Sequence, residues 1–189
     1  ACFKGYIVDD SLYLREYAKV FAWGMTKAED LEAIRTYYSL LSFVNEGEGA
    51  TRLVYLKRYG LDDAPIQHLP QRPENLAYTD CMVKAARDGQ GAPECMMACL
   101  PCMVSYQWIF QRLLQQYPNV RQTPFWPLVR DYTSDAYEQA CQSWLAYTDR
   151  ICQDLDTERK AQCSEIFREC SLHELHFWEM SLQPRTDLP

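Results

Sequence analysis

The stretch from Met96 to Gln111, MMACLPCMVSYQWIFQ, limits what this chain can fold into. It is apolar, too long for one strand, and interrupted by a single proline. Read as a helix, it puts Cys102 and Tyr106 on one face, a turn apart. Pro101 has no N–H and restricts the residue before it, so it either opens the helix or kinks it just ahead of Cys102. A kink frees backbone polar groups beside the thiol. That thiol is open to two readings: a nucleophile next to a phenol, or a small core residue of a type that is usually buried.

The flanking sequence is helical in pattern. Residues 1 to 23 carry an apolar stripe of Tyr6, Ile7, Leu12, Tyr13, Leu14, Tyr17, Val20 and Phe21, with Gly24 as the expected stop. Thr26 and Glu29 have the spacing of a capping box for a second helix to about Asn45, ended by a turn at Gly47 to Gly49. A short helix over 51–59 stops at Gly60. Residues 61 to 74 contain three prolines and read as an ordered loop. Helix resumes from Pro73 or Glu74 to Arg87. The central helix starts near Pro93, runs to Tyr117 and stops at Pro118. A loop holding Pro124 and Pro127 precedes helices over about 134–149 and 156–182, and a short tail carries Pro184 and Pro189. No useful strand-period alternation, internal repeat or low-complexity tract occurs. The expectation is an all-α bundle of roughly seven helices in one domain spanning 1–189.

With 189 residues the chain is long enough for a sizeable core. The net charge of −7 and the absence of a basic run argue against a nucleic-acid partner. No apolar run reaches the ~18 residues of a membrane helix, and no signal-peptide pattern opens the sequence. Nine cysteines without regular spacing argue for free thiols in a reducing, cytoplasmic setting. The sequence begins at Ala1 rather than Met, so upstream residues are expected outside it.

Several clusters could carry chemistry. Cys95, Cys99 and Cys102 form C-x3-C-x2-C, a spacing that can hold an iron–sulfur cluster, but here they line one face of a helical run with no βα pattern around it, as a packed stripe would. Asp10 lies between Val8 and Leu12 in the first helix and is expected to face inward, where a carboxylate needs a partner. Glu174 shares the apolar face of the last helix with Phe177 and Trp178. His173 and His176 fall on other faces, and the string lacks the second histidine of H-E-x-x-H. Glu169 and His173 alone do not make a metal site, so none is expected. Of the 13 tyrosines, a few converging on one pocket would suit a flat, polar, aromatic ligand.

These segments together resemble the TenA, or thiaminase II, family. Phe3 to Leu14, FKGYIVDDSLYL, is similar to that family's aromatic-led run followed by Gln-Asp, two residues and Tyr-Leu, with Asp9 in place of the Gln and Asp10 and Tyr13 matching. Leu-Pro-Cys-x-x-x-Tyr appears as Leu100 to Tyr106, Tyr-Thr as Tyr78-Thr79, and the closing Glu-x-x-Phe-Trp as Glu174 to Trp178. Leu128 to Tyr132 matches a Trp-Ile-x-x-Tyr element loosely, with Leu128 for the Trp. The elements occur in the family's order across nearly the whole chain.

The resemblance implies a heme-oxygenase-like all-α fold, usually a homotetramer, with no heme, metal or other cofactor. It implies hydrolysis of 4-amino-5-aminomethyl-2-methylpyrimidine to the hydroxymethyl pyrimidine in thiamin salvage, and often cleavage of thiamin. It assigns Cys102 as nucleophile, Glu174 as general acid and base, and Asp10 to the ring amino group or to thiol activation. Tyr13, Tyr78, Tyr106 and Tyr132 would hold the pyrimidine. Two rivals keep the fold: a pyrimidine-binding regulator without turnover, and a helical metal oxygenase. Binding alone does not need a thiol, which favours the hydrolase.

Overall fold

The computed structural model describes residues 1–43 and 49–188, and every regular element among them is helical. The elements are α1 (Cys2–Lys27), α2 (Leu31–Phe43), α3 (Gly49–Arg58), α4 (Asp63–Ile66), α5 (Pro73–Asp88), α6 (Ala92–Gln116), a 3-10 turn over Pro118–Gln122, α7 (Trp126–Tyr132), α8 (Asp135–Cys152) and α9 (Thr157–Ser181). The all-α expectation holds. The expected end of the second helix at Asn45, most of the Gly47 to Gly49 turn, and Pro189 lie outside the described residues.

Caps set the boundaries. Ser134 accepts the Tyr137 amide at 3.2 Å and opens α8, and Asp156 accepts the Arg159 amide at 2.8 Å and opens α9. At α6 the Gly91 amide donates to Glu94 at 2.9 Å, and Arg159 of α9 holds that carboxylate with two bonds of 2.8 and 3.0 Å. Gly60, at φ +66°, ends the third helix as expected.

Three expectations are corrected. Helix α1 runs through Gly24 to Lys27, whose ammonium binds the Ala86, Arg87 and Gly89 carbonyls at the end of α5. Thr26 is therefore inside α1 and donates to the Trp23 carbonyl at 2.8 Å. The second helix is capped by Asp30, which accepts the Ala33 amide at 2.8 Å. The loops expected at 61–74 and after Pro118 each contain a short helix, α4 and α7. Pro65 and Pro127 sit inside those first turns, where a missing N–H costs little.

Helices α1, α5, α6 and α9 pack pairwise on one another as the centre of the bundle, α2 lies on α1, and α8 on α6. One hydrophobic core takes side chains from each of the nine α-helices among the described residues, with Tyr17, Tyr37, Tyr55, Tyr78 and Trp144 among the largest fully buried. Its unusual feature is a buried charge. Asp9, fully buried in α1, is held by Arg72 and, at 2.8 Å, by Arg185. Arg185 also reaches the Pro70 carbonyl and Asp187, and Arg72 the carbonyls of Met180 and Gln183. The network pins the segment after α9 against α1, one residue from Asp10.

Gly24 shows why a helix-breaking residue sits inside α1. A Cβ there would fall inside the ring of Tyr37, which is fully buried and donates to the Ala92 carbonyl at 2.9 Å. Replacing Gly24 with Ala gains about 1 kcal/mol of helix propensity, but overpacking at such a contact costs about 1–3 kcal/mol. We expect Gly24→Ala to lower stability in urea unfolding; a more stable variant would show that Tyr37 moves aside freely.

Candidate active site

The chain brings the expected residues together from four helices: Asp10 and Tyr13 from α1, Tyr78 from α5, Cys102 and Tyr106 from α6, and Glu174 from α9. Each arrives there by local pattern. Glu174 is one turn ahead of Phe177 on the buried face of α9, and Tyr78 shares the buried face of α5 with Met82 and Asn75.

Glu174 is the hub. Its Oε1 accepts the Tyr78 hydroxyl at 3.0 Å, and Tyr13 meets the same hydroxyl at 3.4 Å. Its Oε2 is buried without a partner in full hydrogen-bond geometry among the described residues. The rings of Tyr13 and Tyr78 lie 5.0 Å apart, and Phe177 covers Tyr13 at 5.9 Å. Burial in this aromatic setting pushes the Glu174 carboxyl from 4.5 up to about 7. Hydrogen bonds from Tyr78 and the Cys102 thiol pull it down, and the charge of Asp10 pushes it further up. Asp10 itself is raised to about 7, chiefly by desolvation, with Arg52 opposing and Asp9 adding to the rise. Both carboxyls are therefore less acidic than usual, chiefly because of burial.

Cys102 is 6% exposed and follows Pro101 inside α6. The proline lies within the helix, and side chains serve the backbone around it. Tyr17 donates to the Cys99 carbonyl at 3.0 Å, Ser105 to that of Cys102 at 3.3 Å, and Tyr137 to that of Met103 at 3.3 Å. The thiol is thus carried on a braced segment. The other members of the cysteine stripe, Cys95 and Cys99, are fully buried with thiols pushed up by desolvation. All nine cysteines are free. Among the described residues no group of three or more His, Cys, Asp or Glu side chains is placed to hold a metal ion.

A cleft of 360 Å³ reaches this cluster from the surface. Its lining includes Asp10, Thr51, Arg52, Asp131 and Tyr132. Cys102 and Glu174 are buried and do not line it. Tyr106 connects them with a lining residue: its ring meets Tyr132 at 4.9 Å and Trp178 at 5.2 Å, its hydroxyl meets that of Tyr6 at 3.3 Å, and it is within electrostatic reach of Asp10, Cys102 and Glu174. Tyr132 is further fixed by Phe110, stacked at 4.8 Å, and by Tyr137.

Some contributors were not anticipated. Arg52 lines the cleft, bridges Ser11 and Asp63 at 2.9 and 2.6 Å, and its charge restrains the rise in the Asp10 pKa. Thr51 binds Asp131 across the opening. His173, half-buried as expected, stacks on Tyr78 at 5.7 Å and so backs the hydrogen bond to Glu174. Nothing local in the sequence marks Arg52 or Thr51. Asp9 is also turned inward, and it is spent on the arginine network.

No helix among the described residues is long and apolar enough to cross a membrane. The sequence matches the TENA/THI-4/PQQC family over residues 1–184. It is 29% identical to the aminopyrimidine aminohydrolase of Halalkalibacterium halodurans, over 97% of this chain and 81% of that one. It is 30% identical to the enzyme of the same name from Helicobacter pylori, over 96% of this chain and 83% of that one. Among solved structures it superposes on a TenA homologue from P. horikoshii with a TM-score of 0.81 at 24% identity, covering 95% of this chain and 82% of that one, a likeness of fold.

The raised Glu174 carboxyl has a consequence for stability. Between pH 4.5 and 7 the unfolded chain has lost this proton while the folded chain keeps it, so the group's contribution to stability falls as pH rises through that window. A rise from 4.5 to about 7 is worth roughly 3 kcal/mol. Glu174→Gln should therefore gain stability relative to the parent on going from pH 5 to pH 8 in urea unfolding. Parallel pH dependences would mean that the carboxyl is not held up.

Proposed function

The chain belongs to the TENA/THI-4/PQQC family, and on that premise we propose that it hydrolyses aminopyrimidines in thiamin salvage. The substrate is 4-amino-5-aminomethyl-2-methylpyrimidine, converted to the hydroxymethyl pyrimidine, and thiamin is a second candidate substrate. The single observation that carries the reading is that Glu174 interacts with both Cys102 and Asp10 among tyrosines, with Asp10 lining a cleft. Two relatives named aminopyrimidine aminohydrolase, similar over nearly the whole chain, support it.

The chemistry follows from the pKa values and the contacts. A flat, electron-poor ring enters past Tyr132 and rests among Tyr13, Tyr78 and Tyr106. The Cys102 thiol gives its proton to Glu174 and adds to the ring carbon beside a ring nitrogen. A free thiol is only a few per cent ionised at neutral pH, and a carboxyl held at about 7 is well matched to take and return a proton there. Glu174 passes that proton to the ring nitrogen. Asp10 binds the ring amino group. The amine, bound as the ammonium, leaves the side-chain methylene as ammonia. Water gives its hydroxyl to that carbon and its proton to the ammonia. Glu174 takes the proton back from the ring nitrogen as the sulfur–carbon bond breaks and the ring recovers its aromaticity, and returns it to the Cys102 thiolate. The tyrosines position the ring and the water, so losing one of them costs less than losing the nucleophile.

We further assign the protein to the cytoplasm and to a homotetramer. Leu31, Ile34 and Tyr38 on α2, and Leu53 and Val54 on α3, are exposed apolar side chains that assembly would cover.

The test is incubation with the aminomethyl pyrimidine and, separately, with thiamin, measuring the hydroxymethyl product. Release of that product is expected from the first at least. Cys102→Ser is expected to abolish turnover while helical content and unfolding midpoint stay near those of the parent. Glu174→Gln should lose about 10²–10⁴-fold in kcat. Normal hydrolysis by the Cys102 variant would refute the nucleophile, and no product from either compound would refute the reading.

A further inference from the structure

We propose that Cys81 and Cys170 are a thiol pair that a low-molecular-weight disulfide oxidises to a cross-link between α5 and α9, and that this cross-link lowers turnover at the adjacent active site. The two sulfurs are 3.9 Å apart. A disulfide needs about 2.0 Å, a closure that side-chain rotation with a small helix shift supplies. Cys81 is half-buried and lines a groove of 750 Å³ between α5 and α9, together with Lys84, Glu169 and His173, so a small disulfide can reach it. Cys170 is fully buried directly behind it.

The chemistry is ordinary thiol–disulfide exchange. The Cys81 thiolate attacks one sulfur of the reagent and releases one thiolate. Cys170 gives its proton to that thiolate, attacks the Cys81 sulfur and releases the second small thiol. Two protein thiols are oxidised and one disulfide is reduced to two thiols. Hydrogen bonding with Cys170, aided by Lys84 and opposed by burial and the Glu169 carboxylate, holds the Cys81 thiol below its usual range, while Cys170 is held up by the same bond and by burial. The first is the attacking sulfur and the second the resolving one. Cys152 and Cys163 also act on each other, but both are pushed up, chiefly by desolvation, so neither is primed to attack.

The pair sits where a shift is felt. Cys81 is three residues past Tyr78 on α5, and Cys170 is four residues before Glu174 on α9, so each shares a helix face with one partner of the 3.0 Å bond between Tyr78 and Glu174. Drawing the sulfurs together moves one helix against the other a single turn from that bond, and a misplacement of about 1 Å can cost up to about 100-fold in rate.

The experiment treats the full chain with oxidised glutathione and maps peptides under non-reducing conditions, alongside the hydrolysis assay. The expected result is a Cys81–Cys170 linked peptide, a fall in kcat of about tenfold, recovery with dithiothreitol, and an untreated Cys81→Ser variant that matches the parent and ignores the oxidant. The proposal is overturned if Cys81 ends as a stable mixed disulfide or unlinked, if the cross-link forms without loss of rate, or if Cys81→Ser is inactivated equally, which would place the oxidation at Cys102. The cross-link map needs no substrate, so it decides the pair even if the pyrimidine reading fails.

Discussion

A carboxyl withheld from water organises this molecule. Glu174 lies in an aromatic enclosure where ionisation is costly, and the groups that bond it, the Tyr78 phenol and the Cys102 thiol, are neutral and cannot balance a full charge. An unpaired buried carboxylate on this scale is tolerated only by keeping its proton to higher pH. The same residue is useful because of that cost. A group that is half-protonated near neutrality can take a proton from a thiol and deliver it to a ring nitrogen with little free energy lost in either direction.

The bundle keeps that enclosure dry and its members aligned. The four central helices each contribute to it, and all four are fixed from outside by contacts that bear no chemistry. Lys27 ties the end of α1 to the end of α5, Arg159 ties the start of α9 to the start of α6, and Arg185 and Arg72 close the segment after α9 onto Asp9. The treatment of the two neighbouring aspartates is instructive. Asp9 is given two arginines and serves structure, and Asp10, one residue on, is left facing the cleft and has its pKa raised. Burial sets the rise in Asp10, Arg52 restrains it, and the charge of Asp9 adds to it.

Much of this was legible in the sequence because it is written at short range. Ser134 and Asp156 marked the starts of α8 and α9, Gly60 the end of α3, and the 3.6-residue period turned Glu174 and Tyr13 inward. The misses share a cause. Gly24 reads as a stop until Tyr37 is placed against it, Thr26 reads as a cap until Lys27 draws α1 onward, and α4 and α7 are short helices in which proline occupies the first turn. The pairing of Asp9 with Arg185 spans 176 residues and that of Thr51 with Asp131 spans 80, and no local pattern encodes either. The family likeness gathered the site residues into one set, but it could not show that Asp10 and Tyr132 line a cleft from which Cys102 and Glu174 are absent, or that Tyr106 packs against Tyr132.

The most direct measurement is the pH dependence of kcat/KM for the aminomethyl pyrimidine, taken for the parent, for Tyr132→Phe and for the residual activity of Glu174→Gln. An inflection near pH 7 that persists in the parent and in Tyr132→Phe but disappears with Glu174 is what a proton-carrying carboxyl requires. The same inflection in all three would belong to the substrate or to another group, and would contradict the role given to Glu174.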